Sequence, residues 1–102
     1  MKTKNIELDE AAIRAFCGKW RVREFSLFGS VLRDDFSPDS DVDVLISFEE
    51  NPGIGLWGLV EMNEELETLF GRKVDLVEKE GLVNPYRRHA ILTSREIVYA
   101  AG

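Results

Sequence analysis

The stretch FGSVLRDDFSPDSDVDVLI, residues 28–46, contains a small-residue turn at Gly29-Ser30 and, after ten further residues, the pair Asp41 and Asp43. Side chains alternate between the two faces of a β-strand, so these two aspartates are predicted to share one face. The opposite face is predicted to face the core, because it carries the apolar residues Val42, Val44, Ile46 and Phe48.

The two neighbouring carboxylates indicate a metal site. They repel each other unless a cation lies between them. Oxygen ligands without a nearby His or Cys suit a hard ion, Mg²⁺ or Mn²⁺, which proteins usually share with substrate phosphates. Gly29 lets backbone approach a phosphate closely, and Ser30 adds an N–H and a hydroxyl to hold it. The stretch therefore predicts a phosphate-and-metal site.

A third acid lies in RKVDLV, residues 72–77. This segment is typical of a short strand with Val74 and Leu76 toward the core, which places Asp75 on the other face. If the strand pairs beside the one that carries Asp43, Asp75 can reach the first two acids. Sites with two metal ions hold them about 3.5–4 Å apart, and one acid can also deprotonate an attacking hydroxyl.

With these motifs the chain resembles the nucleotidyltransferase (DNA polymerase β-like) superfamily, and within it the smallest branch. Members of that branch are minimal nucleotidyltransferase (MNT) antitoxins that act beside HEPN-domain toxins. The resemblance covers nearly the whole chain: the signature of Gly29-Ser30, ten residues and Asp41-x-Asp43; the acid in KVDLV, residues 73–77; and NPYRR, residues 84–88. It implies an α/β (α+β) nucleotidyltransferase fold, with a small mixed β-sheet and helices packed on one face.

The resemblance also implies a reaction: transfer of AMP from ATP to a tyrosine hydroxyl of a HEPN toxin, which silences the toxin. Asp41, Asp43 and Asp75 would bind two Mg²⁺ ions (Mn²⁺ is an alternative), and Asp75 would also help to activate the acceptor hydroxyl. Gly29 and Ser30 would hold the β- and γ-phosphates. The partner would then be the toxin itself, in a hetero-oligomer.

Several roles stay open at this stage. Arg33 is predicted either to contact the triphosphate or to form a salt bridge with Asp34 or Asp35. Arg87-Arg88 is either a solvated basic pair or a contact for phosphate or a partner, and Trp57 is either an exposed anchor or a cap on the core. The alternative functions are a non-catalytic antitoxin that acts by direct binding, and a transferase acting on a small-molecule or RNA hydroxyl.

The composition limits the class of protein. With 102 residues and 44% hydrophobic residues, the chain is predicted to be a single globular domain over residues 1–102. Its net charge of −6 argues against direct nucleic-acid binding. Cys17 is the one cysteine and is predicted to be buried, and no apolar run is long enough to span a membrane. We therefore expect a cytoplasmic protein without membrane contact.

Hydrophobic periodicity and turn residues predict the elements. A helix is expected from an N-cap at Asp9 to about Cys17, with Gly18 as its stop. The other predicted elements are strand 22–28, strand 41–48, a loop over 51–55, a helix that ends at Gly71, strand 72–77, a helix over about 86–93 and strand 96–99.

Overall fold

The computed structural model describes residues 5–50 and 53–101. Its helices are α1 (Glu10–Trp20), α2 (Leu56–Phe70) and α3 (Pro85–Ser94), and its strands are β1 (Val22–Phe28), β2 (Val42–Phe48), β3 (Val74–Glu78) and β4 (Glu96–Ala100). Two short 3-10 helices follow β1 and β3, at Gly29–Leu32 and Lys79–Gly81. None of the helices in the described ranges combines the length and apolar composition that a membrane span requires.

The strands form one four-stranded mixed sheet in the order β3-β2-β1-β4. β1 pairs antiparallel with β2 and β4, whereas β2 and β3 are parallel, joined by α2 as the crossover helix. β3 and β4 are therefore the edge strands. This topology confirms the predicted fold class, a small mixed sheet with helices.

The main core lies between the sheet and the helices α1 and α2. Phe25 and Leu27 of β1, together with Val44 and Ile46 of β2, are almost completely buried against residues of both helices, among them Leu66. These strand residues alternate with residues of the opposite face, as the period of two predicts. Cys17 belongs to this core as predicted, and burial raises the pKa of its thiol to about 12.

The third helix lies on the opposite face of the sheet, so the expectation that the helices pack on one face is wrong for α3. Ile91 of α3 packs with Phe28, Leu45 and Leu82 in a second, smaller apolar cluster. Glu24 of β1 also carries ion pairs to Arg95 and, at 3.7 Å, to Lys79, so both ends of the segment that contains α3 are tied to this face.

The predicted end of α1 at Gly18 is wrong. The helix continues through Gly18 to Trp20 and ends at Arg21, whose φ of 58° is left-handed. The last turn is held by α2: the Lys19 ammonium and the Trp20 indole N–H both donate to Glu65, at 2.9 and 3.1 Å. The predicted stop of α2 is confirmed, because Gly71 caps it with a φ of 70°. Of the predicted loop 51–55, residues 51 and 52 lie outside the described residues.

Candidate functional site

The turn after β1 lies directly against the second aspartate of the motif. Phe28 is the register partner of Asp43, so Gly29 follows at the same end of the sheet. Gly29 has a φ of 74°, and a Cβ built on it would lie 2.2 Å from Oδ2 of Asp43. Glycine is required here both for the left-handed backbone and for the space that the carboxylate occupies. The turn and the acid therefore form one cradle.

The second and third acids lie side by side on neighbouring strands. Asp43 and Asp75 are register partners in the parallel pair β2–β3, where strands lie about 4.8 Å apart. Asp41 precedes β2 by one residue and is exposed, as is Asp75, while Asp43 is half-buried. The pairing on which the predicted position of Asp75 depended is present, and it brings all three acids to one end of the sheet.

The end of the sheet that carries the three acids has an excess of negative charge. Burial raises the pKa of the Asp43 carboxyl, and the neighbouring carboxylates of Asp75 and Asp41 raise it further. The cations Arg33 and Arg87 act in the opposite direction without cancelling the rise. An added cation would relieve this repulsion.

The donor set fits a hard divalent ion in its chemistry. Three carboxylates lie at one end of the sheet, and carboxylate oxygens are the ligand type of Mg²⁺ and Mn²⁺. Within the described ranges, no group of three or more His, Cys, Asp or Glu side chains is already arranged as a metal site. Because Asp41 and Asp75 are exposed, their carboxylates have room to rotate toward Asp43.

Ser30 and Arg33 belong to the 3-10 helix that starts at Gly29 and to its cap. The backbone N–H of Arg33 donates to the Ser30 carbonyl at 2.9 Å, and the guanidinium of Arg33 pairs with Asp35 at 3.2 Å. This ion pair is one of the two predicted roles of Arg33. The Asn5 amide clamps the same turn by donating to the carbonyls of Val31 and Arg33 at 2.6 and 2.7 Å. Sequence reasoning missed Asn5, because nothing in its neighbours indicates this contact.

A second missed residue positions the loop that leads to Asp41. The guanidinium of Arg72 donates to the carbonyls of Ser37 and Ser40, at 3.2 and 3.1 Å, and lies 4.5 Å from the centre of the Phe36 ring. The carbonyl of Lys73, the next residue, accepts a hydrogen bond from the N–H of Val42 at 2.9 Å. Both ends of the loop segment before β2 are therefore held by the start of β3.

The basic pair on α3 divides into two different environments. Arg88 donates to the Lys79 carbonyl at 2.9 Å, which ties α3 to the preceding 3-10 helix. Arg87 is exposed, and its positive charge acts to lower the pKa of Asp43. Arg88 is thus structural, and Arg87 is the member of the pair that can meet an anionic ligand.

Comparison with known proteins places this chain in a family. The nucleotidyltransferase domain model matches residues 10–98. The protein adenylyltransferase MntA of Thermococcus cleftensis is 42% identical over 81 residues, which are 79% of this chain and 77% of that protein. The chain belongs to the nucleotidyltransferase domain family, and the predicted class of enzyme is confirmed.

Solved structures give the same answer for the fold. A minimal nucleotidyltransferase with 34% identity superposes with a TM-score of 0.69, covering 85% of this chain and 86% of that one. A toxin–antitoxin structure with AMP-PNP has a TM-score of 0.73, 18% identity, and coverage of 92% and 75%. A tri-AMPylated HEPN toxin of Shewanella oneidensis in complex with an MNT antitoxin gives a TM-score of 0.65 at 17% identity. The match covers 90% of this chain and 70% of that one. The chain therefore has the minimal nucleotidyltransferase fold.

Proposed function

We propose that this chain is a cytoplasmic, Mg²⁺-dependent adenylyltransferase antitoxin, which transfers AMP from ATP to a tyrosine hydroxyl of a HEPN-domain toxin. The observation that carries the proposal is the register pair Asp43 and Asp75, with Asp41 beside it and the Gly29 turn against the Asp43 carboxylate. Support for AMP and for the partner comes from relatives named protein adenylyltransferases and from the AMPylated HEPN complex.

In this proposal the 3-10 turn holds the nucleotide. The backbone of the Gly29 turn approaches the β- and γ-phosphates closely, and Ser30 donates its N–H and hydroxyl to them. Arg33 can exchange its exposed ion pair with Asp35 for a phosphate oxygen, since such surface pairs are worth only about 0–1 kcal/mol. Arg87 adds a positive charge from the α3 side of the site.

The three acids perform the remaining tasks. Asp41, Asp43 and Asp75 would ligate divalent ions, which when bound neutralise charge on the α-phosphate and on the leaving pyrophosphate. Asp75 accepts the proton of the tyrosine hydroxyl as its oxygen attacks the α-phosphorus. The bond from the α-phosphorus to the oxygen bridging to the β-phosphate breaks, and pyrophosphate leaves.

Co-expression with a HEPN protein encoded beside this chain, followed by intact mass spectrometry, tests the proposal. We expect the partner to gain one or more AMP groups, on tyrosine, when co-expressed with wild type but not with Asp41→Asn or Asp43→Asn. Asp39→Asn, which changes an exposed acid of the preceding loop, is the matched control and should modify normally. Stable co-purification with no mass gain would favour an antitoxin that acts by binding alone.

A further inference from the structure

A groove runs along the outer side of β3, between this edge strand and the overhanging α2. It encloses about 670 Å³ and is lined by Asp75 together with Val74, Leu76 and Glu78 of β3 and by residues of α2, among them Leu59, Val60, Asn63, Glu64 and Glu67. Asp75 belongs to both the groove and the acid site. The groove is therefore continuous with the place where the proposed reaction occurs.

The floor of this groove is an open strand edge. Lys73 points its carbonyl toward β2, where Val42 donates to it, and backbone direction alternates along a strand. The N–H of Val74 accordingly points outward, where it donates to the Glu67 carboxylate at 3.2 Å. By the same alternation, Leu76 and Glu78 present their backbone groups to the groove. Within the described residues the sheet ends at β3, so this edge is available for pairing with another chain at Leu76 and Glu78, and at Val74 if the Glu67 carboxylate is displaced.

The wall formed by α2 is apolar at one end and acidic along its length. Leu59 and Val60 line the apolar end, and Val60 is 39% exposed. Glu64 and Glu67 follow Val60 at spacings of four and three residues toward the Asp75 end, and Glu78 of β3 also lines the groove. A segment that occupies the groove would therefore meet carboxylates on both walls and an apolar contact at the end away from Asp75.

We propose that this groove binds an extended, basic segment of the partner protein, which pairs with the edge of β3 and carries the acceptor hydroxyl to Asp75. The inference rests on the proposed function and names the acceptor surface of that same site. The occupant is basic because the groove is lined by carboxylates, and extended because an open strand edge pairs with extended backbone. β3 has five residues, so about 16 Å of chain, or roughly five residues, would be held.

Peptide binding tests this without depending on catalysis. Two synthetic peptides of equal length, each with one tyrosine flanked by lysines or by glutamates, are titrated by fluorescence anisotropy in the presence of Mg²⁺ and α,β-methylene-ATP, which cannot transfer AMP. We expect the lysine peptide to bind more tightly than the glutamate peptide. Glu64→Lys should weaken lysine-peptide binding by about fivefold or more, since one close charge pair contributes up to about 1 kcal/mol and is here reversed.

Glu61→Lys is the matched control, because Glu61 is an exposed acid of the same helix that does not line the groove. It changes the net charge by the same amount and should weaken binding by about twofold at most. Equal effects of the two variants, no preference between the peptides, or no binding of either peptide would overturn the inference. A change in oligomeric state with Glu64→Lys, at unchanged peptide affinity, would assign the groove to a second copy of this chain instead.

Backbone pairing is tested separately with lysine peptides that are N-methylated at alternate residues, in either phase. Methylation of the residues whose N–H groups face β3 should weaken binding severalfold. Methylation of the alternate residues, whose N–H groups face away from β3, should not weaken binding. Equal affinity of both methylated peptides and the unmodified peptide would overturn strand pairing. Groove-dependent binding without AMP transfer to the tyrosine would contradict the proposed function while leaving the docking surface in place.

Discussion

The two faces of the sheet follow different physical rules. The face under α1 and α2 is a continuous apolar core, with Phe25, Leu27 and Val44 fully buried. The opposite face carries a small apolar cluster under α3 and, at one end, three acids; there burial, and then repulsion from Asp75 and Asp41, raises the pKa of Asp43. The first face is built for stability and the second tolerates an unfavourable charge arrangement. Such a local conflict within a stable fold is typical of a functional site.

Among acid-face variants that are expected to keep nucleotide binding, the largest effect on the transfer rate is expected at Asp75. If its main role is to accept the proton of the acceptor hydroxyl, Asp75→Asn should lower the AMP transfer rate by about 10²–10⁴-fold, the range for a positioned base. Affinity for a non-hydrolysable ATP analogue should fall less. Single-turnover transfer and calorimetric titration measure the two quantities. If Asp75→Asn lost as much analogue affinity as Asp43→Asn, the division of roles among the acids would be wrong.

A substitution on the core face should lower the stability of the fold and is not directed at the transfer reaction. Phe25→Ala removes a completely buried ring that packs edge-on against Phe16, at 6.0 Å between ring centres. We expect the free energy of unfolding to fall by about 3–5 kcal/mol. Urea denaturation measures the loss, and Asp43→Asn, unfolded alongside, should show none. A loss below about 1 kcal/mol for Phe25→Ala would contradict the assignment of this face as the main core.

Gly29 lies at the boundary between structure and site, and Gly71 is its matched control. Both have a left-handed φ, 74° and 70°, but a Cβ meets Asp43 at Gly29 and nothing within 4 Å at Gly71. Each change to Ala should cost about 1–2 kcal/mol of stability from backbone strain. Only Gly29→Ala should also reduce AMP transfer, because the Asp43 carboxylate must move. Equal transfer rates in the two variants would show that this contact has no part in the reaction.

The smallest effect concerns the pH dependence of stability without metal. Burial first, and then Asp75 and Asp41, raise the pKa of Asp43 in the folded protein, so the folded state binds this proton more tightly than the unfolded state. Ionised Asp43 therefore costs stability at neutral pH. The cost grows as the pH rises from the unfolded pKa of about 3.9 through the raised folded value, and it is absent at lower pH.

Asp43→Asn removes that cost. In chelator at pH 7 its melting temperature should be equal to or a few degrees above that of wild type, and the difference should shrink as the pH is lowered toward 4. Asp39→Asn, on the exposed loop before Asp41, should melt as wild type does throughout. A large drop in the melting temperature of Asp43→Asn at pH 7 would show that this acid is structural.

The sequence predicted the features that depend on local patterns. Alternation assigned Val42, Val44 and Ile46 to the core face, and glycine punctuation located the end of α2 at Gly71. The position of Asp75 beside Asp43 followed once β3 was assumed to pair with β2, and the register of the parallel pair provides that contact. The metal ligation and phosphate contacts themselves stay predictions.

What the sequence could not provide depends on contacts between distant residues. α1 passes Gly18 because Lys19 and Trp20 both reach Glu65 on α2. The sequence does not distinguish Arg87 from Arg88, whereas in the structure Arg88 donates to the Lys79 carbonyl and Arg87 is exposed. Trp57 is shown to be an exposed residue, 79% accessible, rather than a cap on the core. These outcomes require knowledge of which elements pack together.

The central claim is that the three acids and the Gly29 turn form one metal-dependent nucleotide site. Calorimetric titration of AMP-PNP into wild type tests it most directly, with Mg²⁺ and with chelator, and with Asp41→Asn and Asp43→Asn under both conditions. We expect binding by wild type with Mg²⁺ only, and loss of that binding in both variants. Equal affinity in all of these titrations, or none for wild type with Mg²⁺, would contradict the account.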